Sequence, residues 1–160
     1  MLLLVDNGSI YTKNLIDFLI NSKISFEKQI PELLDLKSLD NYNSFILSGR
    51  RKNAKKTNEI NSKIINHAIQ NNKKLLGICY GAEILALTLG GTIRKLELSQ
   101  KGNEKIIIQR ENLLSISDLQ VFESHEFEIS RLPNVLFPIG KSNNCKFEII
   151  QYEKKPIFGT

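Results

Sequence analysis

A cysteine with one glycine two places before it and another two places after, Gly77-Ile78-Cys79-Tyr80-Gly81, is the stretch of this sequence with the clearest chemical use. It lies between an apolar run, Leu75-Leu76, and a helix-forming run, Ala82-Glu83-Ile84-Leu85-Ala86. The order predicts a buried strand, an abrupt turn and a helix, which is the G-x-S-x-G elbow with sulfur in place of oxygen. Glycines flanking the turn let the two backbones approach closely. A thiol at a helix N-terminus sits in positive potential, which favours its thiolate. The N–H of Tyr80, next in the chain, is placed to stabilise an oxyanion. The chemistry would be attack on a carbonyl carbon; the plain alternative is a small buried hydrophobe at a strand end.

A thiol nucleophile needs a base within hydrogen-bond reach, and the sequence has two histidines. His67 falls late in the helix before the Cys79 strand, which a βαβ unit carries to the opposite edge, so it reads as a surface or packing residue. His125 sits in Phe122-Glu123-Ser124-His125-Glu126-Phe127, just after a predicted strand. On local grounds it is a candidate base oriented by a neighbouring glutamate, or else a hydrogen-bonded polar loop residue.

The elements that must position these groups alternate over the first ninety or so residues. Leu2 to Asp6 reads as a strand and Asn7-Gly8-Ser9 as a turn. Tyr11 to Asn21 reads as a helix with Leu15, Ile16, Phe18 and Leu19 at helical spacing. Phe26 to Ile30 is a second strand, and Pro31 with Leu33, Leu34 and Leu36 a loop with a helical turn. Ser44 to Gly49 is a strand, and Asn58 to Gln70 a helix with Ile60, Ile64, Ile65, Ala68 and Ile69 inward. The helix after Cys79 runs to Leu89, where Gly90-Gly91 stops it. Such alternation predicts an α/β fold of three layers, an open, mostly parallel sheet of flavodoxin type. Ser9, Gly49 and Cys79 then fall on the rim at the strands' C-terminal ends, where ligands bind in such sheets.

After Gly91 the helices stop. Thr92–Leu96, Glu104–Gln109, Leu119–Phe122, Asn134–Ile139, Lys146–Tyr152 and Pro156–Phe158 are short strand candidates, giving a β-rich second half with antiparallel additions. Neither an internal repeat nor a linker interrupts the 160 residues, so a single domain, 1–160, is expected.

Composition narrows the function class. Hydrophobic residues make up 41% and charged residues 24%, ordinary for a soluble domain. No apolar stretch approaches a membrane span, and Met1-Leu2-Leu3-Leu4-Val5 reads as a first strand without a basic leader. Cys79 and Cys145 form no metal-type pair, so reduced thiols in the cytoplasm are expected, with no metal and no cofactor. Net charge is +5, mostly from scattered lysines, with one dense group at Arg50, Arg51, Lys52, Lys55 and Lys56. Aromatic residues do not interleave with it, so a solvated basic loop is expected and no nucleic-acid partner.

Leu76-Gly77-Ile78-Cys79-Tyr80-Gly81-Ala82-Glu83 followed by Leu89-Gly90-Gly91 resembles the nucleophile segment of class I (triad-type) glutamine amidotransferases, G-x-C-x-G-x-Q, a helix, then Gly-Gly. The opening, Val5-Asp6-Asn7-Gly8-Ser9, is similar to the anthranilate and aminodeoxychorismate synthase members. Val121-Phe122-Glu123-Ser124-His125, Asn144-Cys145 and Pro156-Ile157-Phe158-Gly159-Thr160 are closer to the GMP synthase members. The resemblance implies that Cys79 attacks the side-chain amide of glutamine, forms a glutamyl thioester and releases ammonia to a synthetase subunit or domain. It implies an oxyanion hole from the Tyr80 N–H and the Gly49-Arg50 loop, Glu83 in the place of a substrate-contacting Gln, and a Ser124-His125 loop holding the α-amino and α-carboxylate groups. His125 is then a substrate residue rather than the base.

Three departures accompany the resemblance. The family's base His and its Glu follow the strand matched by Ile157-Phe158-Gly159-Thr160, so two of three triad members fall outside these residues. The expectation is a C-terminal part missing, with weak or absent turnover by the 160 residues. Ser48-Gly49-Arg50-Arg51 stands where the family has a glycine-rich loop, and a non-glycine restricts the backbone there. Glu83 replaces Gln, and a carboxylate cannot donate as an amide does. The competing readings are a non-catalytic binding or regulatory module, a protein like anthranilate synthase component II, and a γ-glutamyl hydrolase or peptidase-like member.

Overall fold

In the computed structural model, which describes residues 1–153 and 155–160, strand and helix alternate as far as Thr88. The first apolar run forms β1 (Leu2–Val5) and the helix-spaced segment forms α1 (Thr12–Asn21). Then come β2 (Phe26–Gln29), β3 (Ser44–Leu47), α2 (Lys55–Gln70), β4 (Lys74–Gly77) and α3 (Tyr80–Thr88). Two 3-10 turns, Pro31–Leu33 and Leu36–Asn41, fill the loop after β2. α2 starts at Lys55 rather than Asn58, because nothing in Lys55-Lys56-Thr57 opposes helix. The second half is β5 (Thr92–Ile108), β6 (Leu119–Arg131), β7 (Leu136–Lys141), β8 (Ile149–Tyr152) and β9 (Ile157–Gly159).

Among the described residues, nine strands share one sheet, in the order β2-β1-β3-β4-β9-β8-β7-β5-β6. Pairing is parallel from β2 to β9 and antiparallel from β9 to β6. α2 and α3 cover one face, burying Ile64, Ile65 and Leu85 against Leu3, Phe45, Leu47 and Leu75. α1 covers the other, setting Leu15, Ile16 and Leu19 on Leu4 and Ile46. Phe18 faces outward, at 62% exposed, because its neighbours on the helix already fill the inner stripe. These are the three layers expected of the α/β fold. No helix among the described residues is long and apolar enough to cross a membrane.

The antiparallel half is more continuous than its local pattern. Thr92–Leu96 and Glu104–Gln109 belong to one strand, with a register shift between Lys95 and Gln100. The Ser124-His125 segment is strand rather than loop: Gln100 pairs with His125 and Lys101 with Ser124. Cross-strand pairing along a long hairpin overrides the polar, turn-like composition of both segments.

β4 lies between β3 and β9, so Cys79 leaves the sheet from its middle. The flanking glycines are required by contact: a Cβ on Gly77 would stand 2.4 Å from the Gly81 carbonyl carbon, and one on Gly81 would stand 2.4 Å from the Leu47 carbonyl oxygen. Gly81→Ala is therefore expected to force α3 off β3 and destabilise the protein by about 3 kcal/mol. Urea denaturation checks this; a loss under about 0.5 kcal/mol would show that the elbow tolerates a side chain.

Candidate active site

The strand β4 ends at Gly77 and α3 starts at Tyr80, leaving one turn in which Cys79 has φ 53° and ψ −105°. A non-glycine there is strained, and such strain gathers at functional sites. The turn is held from both sides: the Cys79 N–H donates to the Thr160 carbonyl at 2.6 Å, and the Thr160 N–H donates to the Gly77 carbonyl at 2.8 Å.

The three rim positions come together. An ideal Cβ on Gly49 would lie 3.2 Å from Ser9 Oγ and 3.7 Å from Cys79 Cβ. An isolated antiparallel bridge joins Gly8 to Arg50, tying the loop after β1 to the loop after β3. Beneath them, Ser48 Oγ accepts from the Asn7 N–H at 2.9 Å, the Asn7 amide donates to the Ser48 carbonyl at 3.0 Å, and the fully buried Asn61 donates to Asn7 Oδ1 at 2.8 Å. Sequence reasoning misses Asn7 and Asn61 as supports of the site. The available signal is an asparagine set beside Ile60, Ile64 and Ile65 on the inner stripe of α2.

Arg50 overturns the expectation of a solvated basic loop. Its side chain is only 14% exposed and turns inward, with Nη2 3.5 Å from Glu83 Oε2. The guanidinium lies 4.2 Å from the Tyr80 ring centroid, and Nη1 donates to Asn53 Oδ1 at 2.8 Å and Asn58 Oδ1 at 3.2 Å. The Tyr80 hydroxyl donates to the same Asn58 oxygen at 2.7 Å. Arg50 is not among the residues with left-handed backbone, so arginine suits this loop position without strain. The two departures at positions 50 and 83 are thus one feature: each charge neutralises the other. Arg51, Lys52, Lys55 and Lys56 stay exposed.

The thiol is not the thiolate expected from the helix end alone. Burial pushes the Cys79 thiol up to about 11, and the Glu83 carboxylate adds to the rise. The Tyr80 N–H and the Arg50 guanidinium oppose it but do not prevail. Burial and Glu83 outweigh a helix terminus because a buried anion loses its water. Burial also raises Glu83 itself, against the pull of Arg50.

Cys79 opens on a cavity of about 550 Å³ whose walls include Glu83, Ser124, His125, Glu148 and Thr160. Residues on β6 alternate, so Ser124 falls on the exposed face and His125 on the inner one. His125 Nδ1 is 2.8 Å from the Phe127 carbonyl and Nε2 is 3.5 Å from Glu123 Oε2. His67 packs edge-on against Phe45 and lies 3.6 Å from Asp40, as a packing residue of α2.

An α/β sheet with a thiol on a left-handed elbow, facing a cavity at the strand ends, is the geometry of the site. The chain belongs to the glutamine amidotransferase class-I family, whose model matches residues 3–160. Among its relatives is a glutamine-hydrolyzing GMP synthase subunit of Thermoplasma acidophilum, 26% identical over 98% of this chain and 79% of that one. Another is the glutamine-hydrolyzing GMP synthase of Borrelia garinii subsp. bavariensis, 31% identical over 99% of this chain but 30% of that one. A solved Thermoplasma acidophilum protein, assigned provisionally as a GMP synthase subunit, superposes with a TM-score of 0.85 at 25% identity, covering 99% of this chain and 81% of that one. A glutamine amidotransferase of Thermotoga maritima shares the fold, with a TM-score of 0.81 at 18% identity, covering 99% and 73%.

Two outcomes follow from this electrostatic arrangement. Alkylation of Cys79 by iodoacetamide should accelerate with pH towards a midpoint near 11, falling in Glu83→Gln and rising further in Arg50→Met. Because the pair is buried, Arg50→Met and Glu83→Gln should be non-additive in urea denaturation, with a coupling of about 1–3 kcal/mol. Additive effects would show that the two charges act separately.

Proposed function

We propose that this domain is a glutaminase in the style of GMP synthase, hydrolysing glutamine through Cys79 and passing ammonia to a synthetase subunit or domain. The observation that carries the proposal is the strained Cys79 elbow set beside the Gly49 loop. In this reading the thiol attacks the δ-carbonyl carbon of glutamine, the C–N bond breaks with a proton delivered to the leaving nitrogen, and ammonia departs to leave a glutamyl thioester. Water then attacks the thioester, restoring the thiol and releasing glutamate. The N–H groups of Tyr80 and of the Gly49-Arg50 loop receive the oxyanion. The Ser124-His125 stretch of β6 borders the substrate, and Glu83, which lines the same cavity, has its charge offset by Arg50. The protein would work in the cytoplasm, which suits its two free cysteines.

His125 is an unsuitable base for Cys79, since Nδ1 meets the Phe127 carbonyl and Nε2 faces Glu123. The 160 residues should therefore acylate more readily than they deacylate. A competing reading, a binding or regulatory module without turnover, draws on the raised thiol pKa and the internal Arg50–Glu83 pair.

An electrophilic glutamine analogue such as a diazo-ketone should label one site per chain, Cys79, and fail to label Cys79→Ala. Steady glutamate release by residues 1–160 should lie about 10²–10⁴-fold below that of a form with a working base. Absence of labelling supports the regulatory reading. Rapid turnover by residues 1–160 that His125→Ala abolishes would assign the base to His125.

A further inference from the structure

The cavity wall carries a second group of side chains that thiol chemistry does not use. Glu123 and His125 lie two places apart on β6 and so share a face, and Glu148 stands just before β8. One ligand atom from each lies within 4.8 Å of the other two. Glu123 and His125 are 10% and 15% exposed, and Glu123 Oε2 and His125 Nε2 face each other at 3.5 Å. Both atoms are shut off from solvent and neither has a hydrogen-bond partner.

The far ends of these side chains are accounted for. His125 Nδ1, 2.8 Å from the Phe127 carbonyl, is placed to carry a proton, and in the neutral ring this leaves a lone pair on Nε2. Glu148 Oε1 accepts from the Ser142 hydroxyl at 2.6 Å. A buried imidazole and two carboxyl groups thus converge, with Glu148 and Glu123 close enough to share a proton, an arrangement that calls for a proton or a cation among them. An imidazole oriented by a carbonyl and a carboxylate oriented by a hydroxyl are the outer contacts that metal ligands make.

Size and donor type identify the cation. A tetrahedral ion with bonds of about 2.0–2.2 Å holds its ligands about 3.4 Å apart, close to the 3.5 Å between Glu123 and His125. Calcium and magnesium take oxygen ligands, whereas one imidazole with two carboxylates suits a first-row transition ion. We propose that Glu123, His125 and Glu148 form a binding site for a divalent transition-metal ion of the zinc class in the wall of the Cys79 cavity. An open coordination position on the cavity side would accept a carboxylate. The site is independent of whether Cys79 hydrolyses glutamine.

Calorimetric titration of the chain with Zn²⁺, and absorption spectra with Co²⁺, test it. One equivalent of zinc should bind, with binding retained in Cys79→Ala and Cys145→Ser. Affinity should fall at least about tenfold in each of Glu123→Gln, His125→Ala and Glu148→Gln, and in the outer variant Ser142→Ala. Circular dichroism establishes that each variant folds. If one does not, the wild-type cobalt spectrum decides: nitrogen and oxygen ligation without a thiolate charge-transfer band supports the site. No stoichiometric binding, binding indifferent to the three ligand substitutions, loss in Cys79→Ala, or a thiolate band would each overturn it. Absence of binding would assign the cluster a shared proton or the ammonium group of a substrate instead.

Discussion

The close approach of two backbones at the end of β4 is the constraint on which the site depends. Gly77 and Gly81 leave no room for a Cβ, so strand and helix meet tightly enough to push Cys79 into left-handed backbone. That conformation projects the sulfur from the sheet rim while the Tyr80 N–H stays beside it. The carbonyl of Leu47, the last residue of β3, presses on Gly81, so the same contact ties the elbow to the loop beginning at Ser48. Sheet order completes the arrangement: with β4 in the middle, the loops after β1 and β3 reach Cys79 from one side and β9 locks it from the other.

Electrostatics modify what this geometry offers. A helix N-terminus ordinarily favours a thiolate, yet here burial and the Glu83 carboxylate hold the thiol protonated. Arg50 limits that effect by pairing with Glu83 while stacking on Tyr80. Arg50 adjoins the Gly49 backbone beside Cys79, and Tyr80 follows Cys79 in the chain. One guanidinium therefore braces both candidate oxyanion donors. The cavity remains mostly walled by β-strand residues, with the Glu123, His125 and Glu148 group as its second polar feature.

Much of the parallel half can be read from sequence because its signals are local. Apolar runs at β1, β3 and β4, helical spacing in α1 and α2, and Gly90-Gly91 after α3 each mark their own element. The Cys79 elbow is legible for the same reason: its glycines sit within two residues of the cysteine. The length of β5 and the strand character of Ser124 and His125 are not, since both depend on pairing between distant segments. Arg50 is misleading for a related reason. Composition groups it with neighbouring basic residues, whereas its partner Glu83 is far off in the chain and adjacent only in the fold. The same holds for Glu148, which meets Glu123 and His125 only when β8 and β6 are in place.

The most direct test of the central claim is intact-mass analysis of the protein acid-quenched during incubation with glutamine, followed by peptide mapping. A glutamyl adduct on the peptide carrying Cys79, lost in Cys79→Ala, is the predicted result. An unmodified Cys79 in folded protein, or an adduct on Cys145 instead, would contradict it.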